Sequence, residues 1–213
     1  MARYALVVGI ADYPKAGLLS SLRRTATDAE AITRILQEFG HYQTQPLTGK
    51  VTTEQLSQEI KNLFERAKNQ EALIYFTGHG VKLTSNLGID SGILAASDSI
   101  VRKVGDRAVL EGENAVKLND LNQLVSQASL SSLVVLLDCC HSELVIPQDL
   151  VDRLTAFNRS DVDIFFMAAC RKAEEAIAKA GATHSVFTGA LLEAFAQTQA
   201  DSSGAITCGR VFD

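Results

Sequence analysis

The sequence predicts an α/β fold built on a mostly parallel sheet with helices on both faces, and three features predict it. Several short runs are apolar without alternation, the pattern of strands buried on both faces. Amphipathic stripes of helical period separate those runs, so strand and helix alternate along the chain and right-handed crossovers join the strands. The polar motifs that carry chemistry fall directly after apolar runs, in the loops outside the carboxyl ends of the strands, where sites in such sheets collect.

Tyr4 to Ile10 is the first apolar run, and it exits into a loop at Asp12 to Pro14. From Thr27 to Phe39 the residues Ala29, Ile32, Ile35, Leu36 and Phe39 recur at helical spacing, and Gly40 stands where a helix commonly ends. Gln43 to Thr48 makes a short, polar second strand. Thr52 and Gln55 have capping-box spacing, and Leu56, Ile60, Leu63, Phe64 and Ala67 then form one stripe, which predicts a second amphipathic helix. Ala72 to Phe76 is the next buried strand and leads into Thr77, Gly78, His79 and Gly80. Between Lys82 and Gly112 short apolar pieces alternate with Ser, Asp and Gly, and the expectation is an irregular region with a hairpin. Asn119 or Asp120 is the expected cap of a helix carrying Leu121, Leu124, Val125 and Ala128. Leu133 to Leu137 is a fourth buried strand, running into Asp138, Cys139, Cys140, His141 and Ser142. Asp163 to Ala169 repeats the buried-strand pattern, and Val186 to Phe195 predicts a last helix with Phe187, Ala190, Leu191, Ala194 and Phe195 inward. Gly204 to Phe212 begins a further element.

With 213 residues, 46% of them apolar, the chain can bury one substantial core, and a single domain over residues 1–213 is expected. A net charge of -5 without a clustered Lys/Arg face gives no reason to expect nucleic acid or an anionic membrane surface as partner. The apolar stretch near the N-terminus is about seven residues long and no segment reaches the roughly 18 needed to span a bilayer, so a soluble, cytoplasmic protein is expected. Cysteines 139, 140, 170 and 208 include a vicinal pair that suits no disulfide framework, and reduced thiols are the expectation.

His79 and Cys140 both follow strands, and both can carry chemistry. A thiol is mostly protonated at neutral pH and needs a neighbouring base to become a nucleophilic thiolate, which His79 can supply. Gly78 and Gly80 on either side of the histidine leave room for a substrate and let backbone amides approach a developing oxyanion. On the residues alone, Gly-His-Gly as a tight turn and the cysteine as an inert small hydrophobe stay open. A zinc site from His79, Cys139, Cys140 and His141 is the chemical rival, but three consecutive ligands converge poorly on one tetrahedral ion. His41 and His184 have no motif around them and are expected at the surface or in loops, while Cys170 and Cys208 are expected in the core.

The strings YFTGHG at 75 to 80 and DCCHS at 138 to 142 resemble the signature of the caspase-like clan, most closely that of metacaspases and their bacterial relatives, the orthocaspases. YALVVGIADY, the segment from Leu22 to Ala29, AACRKAEEAIA at 168 to 178 and VFTGALLEAF at 186 to 195 resemble the same family in the same order. The resemblance implies a caspase-like three-layer α/β/α sandwich and a cysteine endopeptidase with a Cys-His dyad. Cys140, directly before the His-Ser pair, is then the nucleophile, His79 its catalytic partner, and the amides at Gly80 and Cys140 hold the oxyanion. Cys139 takes a packing role, since successive side chains at a strand end point to opposite sides.

Metacaspases cleave after Arg or Lys through an acidic pocket, and the resemblance places Asp28, Asp138 and Thr77 there; two carboxylates suit a guanidinium or ammonium by charge-assisted hydrogen bonding. At Asp28 the rival is a carboxylate meeting its own helix dipole. The chemistry requires no cofactor. Calcium, which activates many metacaspases, has a depleted counterpart here: KLNDL at 117 to 121 replaces one Asp by Asn119, and Asp90, Asp98, Asp120 and Asp149 are scattered. The family's domain normally continues past a segment like SGAITCGRVFD, so a missing C-terminal helix or domain is expected. A protein substrate, a regulatory partner or fused sensor domain, and self-cleavage at Arg102, Lys103, Arg107, Arg153 or Arg159 in loops belong to the same set of expectations. Two other classes remain. A catalytically silent caspase-like scaffold is opposed by the presence of both His79 and Cys140. A flavodoxin-like binding domain needs a phosphate-binding Gly-rich first loop, which Gly9 to Pro14 does not supply.

Overall fold

The computed structural model describes residues 1–139, 162–169 and 182–197. In chain order these form β1 (Arg3–Ile10), α1 (Thr25–Glu38), β2 (Gln43–Gly49), α2 (Thr53–Arg66), β3 (Glu71–Thr77), β4 (Gly80–Thr84), β5 (Asp90–Ala95), β6 (Ile100–Val104), β7 (Arg107–Glu111), β8 (Ala115–Lys117), α3 (Leu118–Gln127), β9 (Ser132–Asp138), β10 (Asp163–Ala168) and α4 (Val186–Gln197). The central sheet runs β10-β9-β3-β1-β2, and every neighbouring pair in it is parallel. This is the predicted α/β architecture.

The pleat divides the side chains between two layers. Leu6, Val8 and Ile10, Ile74 and Phe76, and Leu133, Val135 and Leu137 point to one face, where Leu56, Ile60 and Leu63 of α2 and Leu121 and Val125 of α3 cover them. Ala5, Val7, Leu73, Tyr75 and Leu136 point to the other, under Ala29, Ile32 and Leu36 of α1 and Leu191 of α4. Each interior strand feeds both cores, which is why its sequence is apolar without alternation. β2 lies at the edge, and its polar character and Pro46 fit a position where one side of the backbone needs no partner strand. β10 occupies the other end of the described order and is only half-buried, less enclosed than its apolar run suggests.

Gly9 fixes how α1 meets the sheet. A Cβ there would stand 2.4 Å from the Thr25 carbonyl oxygen and 2.8 Å from the Ala29 Cβ, so only glycine lets the first turn of α1 come so close to the end of β1. The capping box of α2 is present as predicted, with Thr52 Oγ1 accepting from the Gln55 amide and Gln55 Oε1 from the Thr52 amide.

Three local expectations change. In the region 82–112 the expected hairpin is present as β6 and β7, but the rest is not irregular: β4, β5 and β8 form one antiparallel sheet, in strands too short for their alternation to stand out. α3 begins at Leu118, before the expected cap at Asn119 or Asp120, because Leu118 is fully buried and anchors the first turn; Lys117 precedes it without a side-chain cap. In α4 Ala190 is exposed, and Thr188 takes a buried place instead. The segment from Gly204 lies outside the described residues.

Candidate active site

Parallel register aligns three strand ends. Gly9 of β1 sits opposite Thr77 of β3, and Thr77 opposite Asp138 of β9. The chain reverses direction across the sheet here, since β2 lies on one side of β1 and β3 on the other, and such switch points open a crevice beyond the strands' carboxyl ends.

His79 stands in that crevice, two residues past β3 and 6% exposed. Its backbone N–H donates to Tyr13 Oη at 2.9 Å, and its ring meets the Tyr13 ring edge to face, with centroids 4.6 Å apart. Its carbonyl accepts from the Ala95 amide at 2.9 Å, tying the loop to β5. Nε2 lies 2.8 Å from the Ser20 carbonyl oxygen. A carbonyl only accepts, so Nε2 carries the proton, and the basic lone pair of the neutral ring is on Nδ1. Gly78 is required for a closer reason than room for substrate: a Cβ there would meet Tyr13 Oη at 2.8 Å and the Phe76 ring at 2.9 Å. Burial pushes the Tyr13 phenol far above its ordinary pKa, against the lowering effect of the His79 amide, so the ring stays neutral.

Cys139 is buried among the side chains facing α2 and α3, as its expected packing role requires. Cys140 and His141 lie outside the described residues, as do Asp149, Arg153, Arg159, Cys170 and Cys208. Gly80 opens β4, opposite Leu94.

On the opposite face the same strand ends carry acid. Tyr75, Thr77 and Asp138 share the pleat side that faces α1 and α4, and Asp28 comes down on it from α1. Asp28 is 1% exposed and Asp138 3%. Asp28 Oδ1 accepts from His184 Nδ1 at 2.8 Å, and its two oxygens share the Ser185 amide at 3.3 and 3.2 Å. The Ser185 hydroxyl donates to Asp138 Oδ2 and in turn accepts from the Thr188 amide at 3.0 Å, capping α4. Thr188 Oγ1 donates to Asp138 Oδ2 at 2.8 Å, which leaves the Tyr75 hydroxyl as donor to Thr188 across 2.6 Å. Ser185 thus bridges the two carboxylates. Burial raises the pKa of Asp28, the hydrogen bonds from His184 and Ser185 offset part of that rise, and the negative charge of Asp138 adds to it. Tyr75 is raised by burial and by the same aspartate.

Asp28, Asp138 and Thr77, the residues expected to line an acidic pocket, are therefore together, and Asp28 meets the N-terminus of α4 rather than serving only its own helix. His184 lies in the loop before α4, as expected, and there it is Asp28's partner from 156 residues away. Ser185, Thr188 and Tyr75 were not singled out by the sequence. His41 is exposed, as expected.

Of the acidic residues considered for calcium, two have polar partners of their own, and Asp149 lies outside the described residues. Asp90 pairs with Lys82 at 2.7 Å, Asp98 accepts from the amide and hydroxyl of Thr53 at the start of α2, and Asp120 lies in the first turn of α3. Among the described residues no group of three or more ligands gathers for a metal. Arg102, Lys103 and Arg107 lie in the paired β6–β7 hairpin and not in an open loop; Arg102 pairs with Glu111 at 3.0 Å. No described helix is long and apolar enough to cross a membrane.

Residues 2–207 match the family model of the caspase domain. No curated protein matches the chain. Among solved structures, the crystal structure of protein GSU0716 from Geobacter sulfurreducens is similar in fold, with a TM-score of 0.59 and 17% identity, covering 92% of this chain and 82% of that one.

Proposed function

The chain belongs to the caspase-domain family and so carries a cysteine-peptidase-like domain, and on that premise we propose that it is an endopeptidase cutting after Arg or Lys, with Cys140 as nucleophile and His79 as proton carrier. The observation that carries the specificity is the pair of buried carboxylates, Asp28 and Asp138, joined through Ser185 beside the strand end that bears His79. Two desolvated like charges repel, and a cation between them relieves both. An acidic substrate side chain meets the opposite effect.

In this reading His79 takes the Cys140 proton at Nδ1 while the Ser20 carbonyl holds Nε2–H, orienting the ring and stabilising the imidazolium that forms. The thiolate attacks the scissile carbonyl, and the amides of Gly80 and Cys140 receive the oxyanion. His79 then protonates the leaving amine. Water, deprotonated by His79, hydrolyses the thioester and restores the thiol. The residues present need no cofactor for these steps. Calcium, a regulatory partner and self-processing stay secondary proposals, none of which the chemistry requires.

A peptidyl-arginine chloromethyl ketone tests the reading, because it alkylates the nucleophile only after its Arg has docked. The expected result is one adduct, mapped by peptide mass spectrometry to Cys140, lost in Cys140→Ala and slowed in Asp28→Asn. Absence of an adduct in the wild type would make the domain a silent scaffold.

A further inference from the structure

A pocket for a basic side chain needs a carboxylate that the side chain can reach, yet Asp28 is 1% exposed. Among the described residues, two hydrogen-bond to it. Ser185 contributes its backbone N–H to Asp28 and its hydroxyl to Asp138, while accepting from the Thr188 amide. Its departure would cost α4 its N-terminal cap as well. His184 is different. Its side chain is 26% exposed against 1% for Asp28, and it holds the carboxylate by a single bond from Nδ1 at 2.8 Å. A side-chain rotation alone removes it.

We infer that His184 is a gate in the acidic pocket: its imidazole occupies the place on Asp28 that a substrate's guanidinium or ammonium takes, and the substrate's side chain displaces it. The inference rests on the basic-pocket reading above and adds to it a means of selection. When His184 swings away, Asp28 is left buried with a lost hydrogen bond, a costly state for an acceptor in the interior. A guanidinium restores that bond and adds a second, parallel donor that a single imidazole N–H lacks. An ammonium restores it as a point charge. An apolar or amide side chain restores little and an acidic one is repelled, so the closed gate penalises every wrong residue before chemistry begins.

Selection of this kind lowers apparent affinity for the right ligand too, because only the open fraction of the protein binds. The test is an NMR titration of the full chain with propylguanidinium, a probe that needs only the pocket and not the nucleophile. His184→Ala should bind it about 10-fold more tightly than wild type, as expected when the hydrogen bond to a charged group that holds the pocket shut is removed. His184→Asn, which keeps an N–H donor near the position of Nδ1, should fall within about twofold of wild type. Asp28→Asn should abolish binding. A gain cannot come from misfolding, so damage to the fold does not imitate the result. The same shift should appear as a lower KM for Arg peptides in His184→Ala. Equal affinity in wild type and His184→Ala, with binding still lost in Asp28→Asn, would overturn the gate and leave the pocket standing. Weaker binding in His184→Ala would also overturn the gate, assigning His184 a purely supporting role. No binding by any of these proteins would overturn the basic pocket, and the gate with it.

Discussion

Removing one oxygen atom tests how the His79 loop is held. In Tyr13→Phe the ring keeps its edge-to-face contact with His79, but the buried His79 N–H loses the oxygen that accepts it at 2.9 Å. Losing the acceptor of a buried donor costs roughly 1–3 kcal/mol, and phenylalanine fills the same volume beside a His79 that is only 6% exposed. Taking about 2 kcal/mol, a domain of this size should lose about 4–8 °C in melting temperature. Urea unfolding followed by circular dichroism should show the midpoint falling by about 1 M with an unchanged slope, for a slope near 2 kcal/mol per M. A melting temperature within about 1 °C of wild type would refute the claim that this hydrogen bond fixes the loop.

Gly9→Ala places a methyl 2.4 Å from the Thr25 carbonyl oxygen, so α1 must move; a loss of about 1–3 kcal/mol in urea unfolding is expected, and an unchanged midpoint would mean that α1 does not pack as described. Asp28 carries a pH dependence whose sign follows from its raised pKa: a carboxyl harder to ionise folded than unfolded adds stability that is fully present below its unfolded value and lost as pH rises through the folded one. Wild type should therefore lose stability relative to Asp28→Asn as pH climbs from about 4 towards neutrality, and a difference flat across that range would show that burial does not disfavour the charge. Cys139→Ala should cost about 1 kcal/mol from the core while peptidase activity persists; loss of activity with the fold intact would move the nucleophile to Cys139.

The family resemblance pointed to Asp28, Asp138 and Thr77, and the strict alternation of the pleat explains why the two strand-end residues share a face. Counting by twos from Leu73 and Tyr75 puts Thr77 on the face covered by α1, and from Leu136 puts Asp138 there too, with Cys139 opposite. Asp28 stands on the buried stripe of α1 with Thr25, Ala29, Ile32 and Leu36, a placement that the structure supplies. What stayed hidden has no local signature. His184 and Asp28 meet only because α1 and α4 cover the same side of the sheet, and nothing local in the sequence shows that Tyr13 and Ser20 reach His79. The strands of region 82–112 are short and partly exposed, so their polar residues read as loop. α3 begins early because burial of Leu118 outweighs capping preference.

The most direct test of the central claim is hydrolysis of matched fluorogenic peptides ending in Arg, Lys or Asp by the wild type and by Cys140→Ala, with and without calcium. The account predicts cleavage after Arg and Lys, none after Asp, and complete loss in Cys140→Ala. Cleavage after Asp would contradict the acidic pocket, and Arg cleavage surviving in Cys140→Ala would contradict the nucleophile.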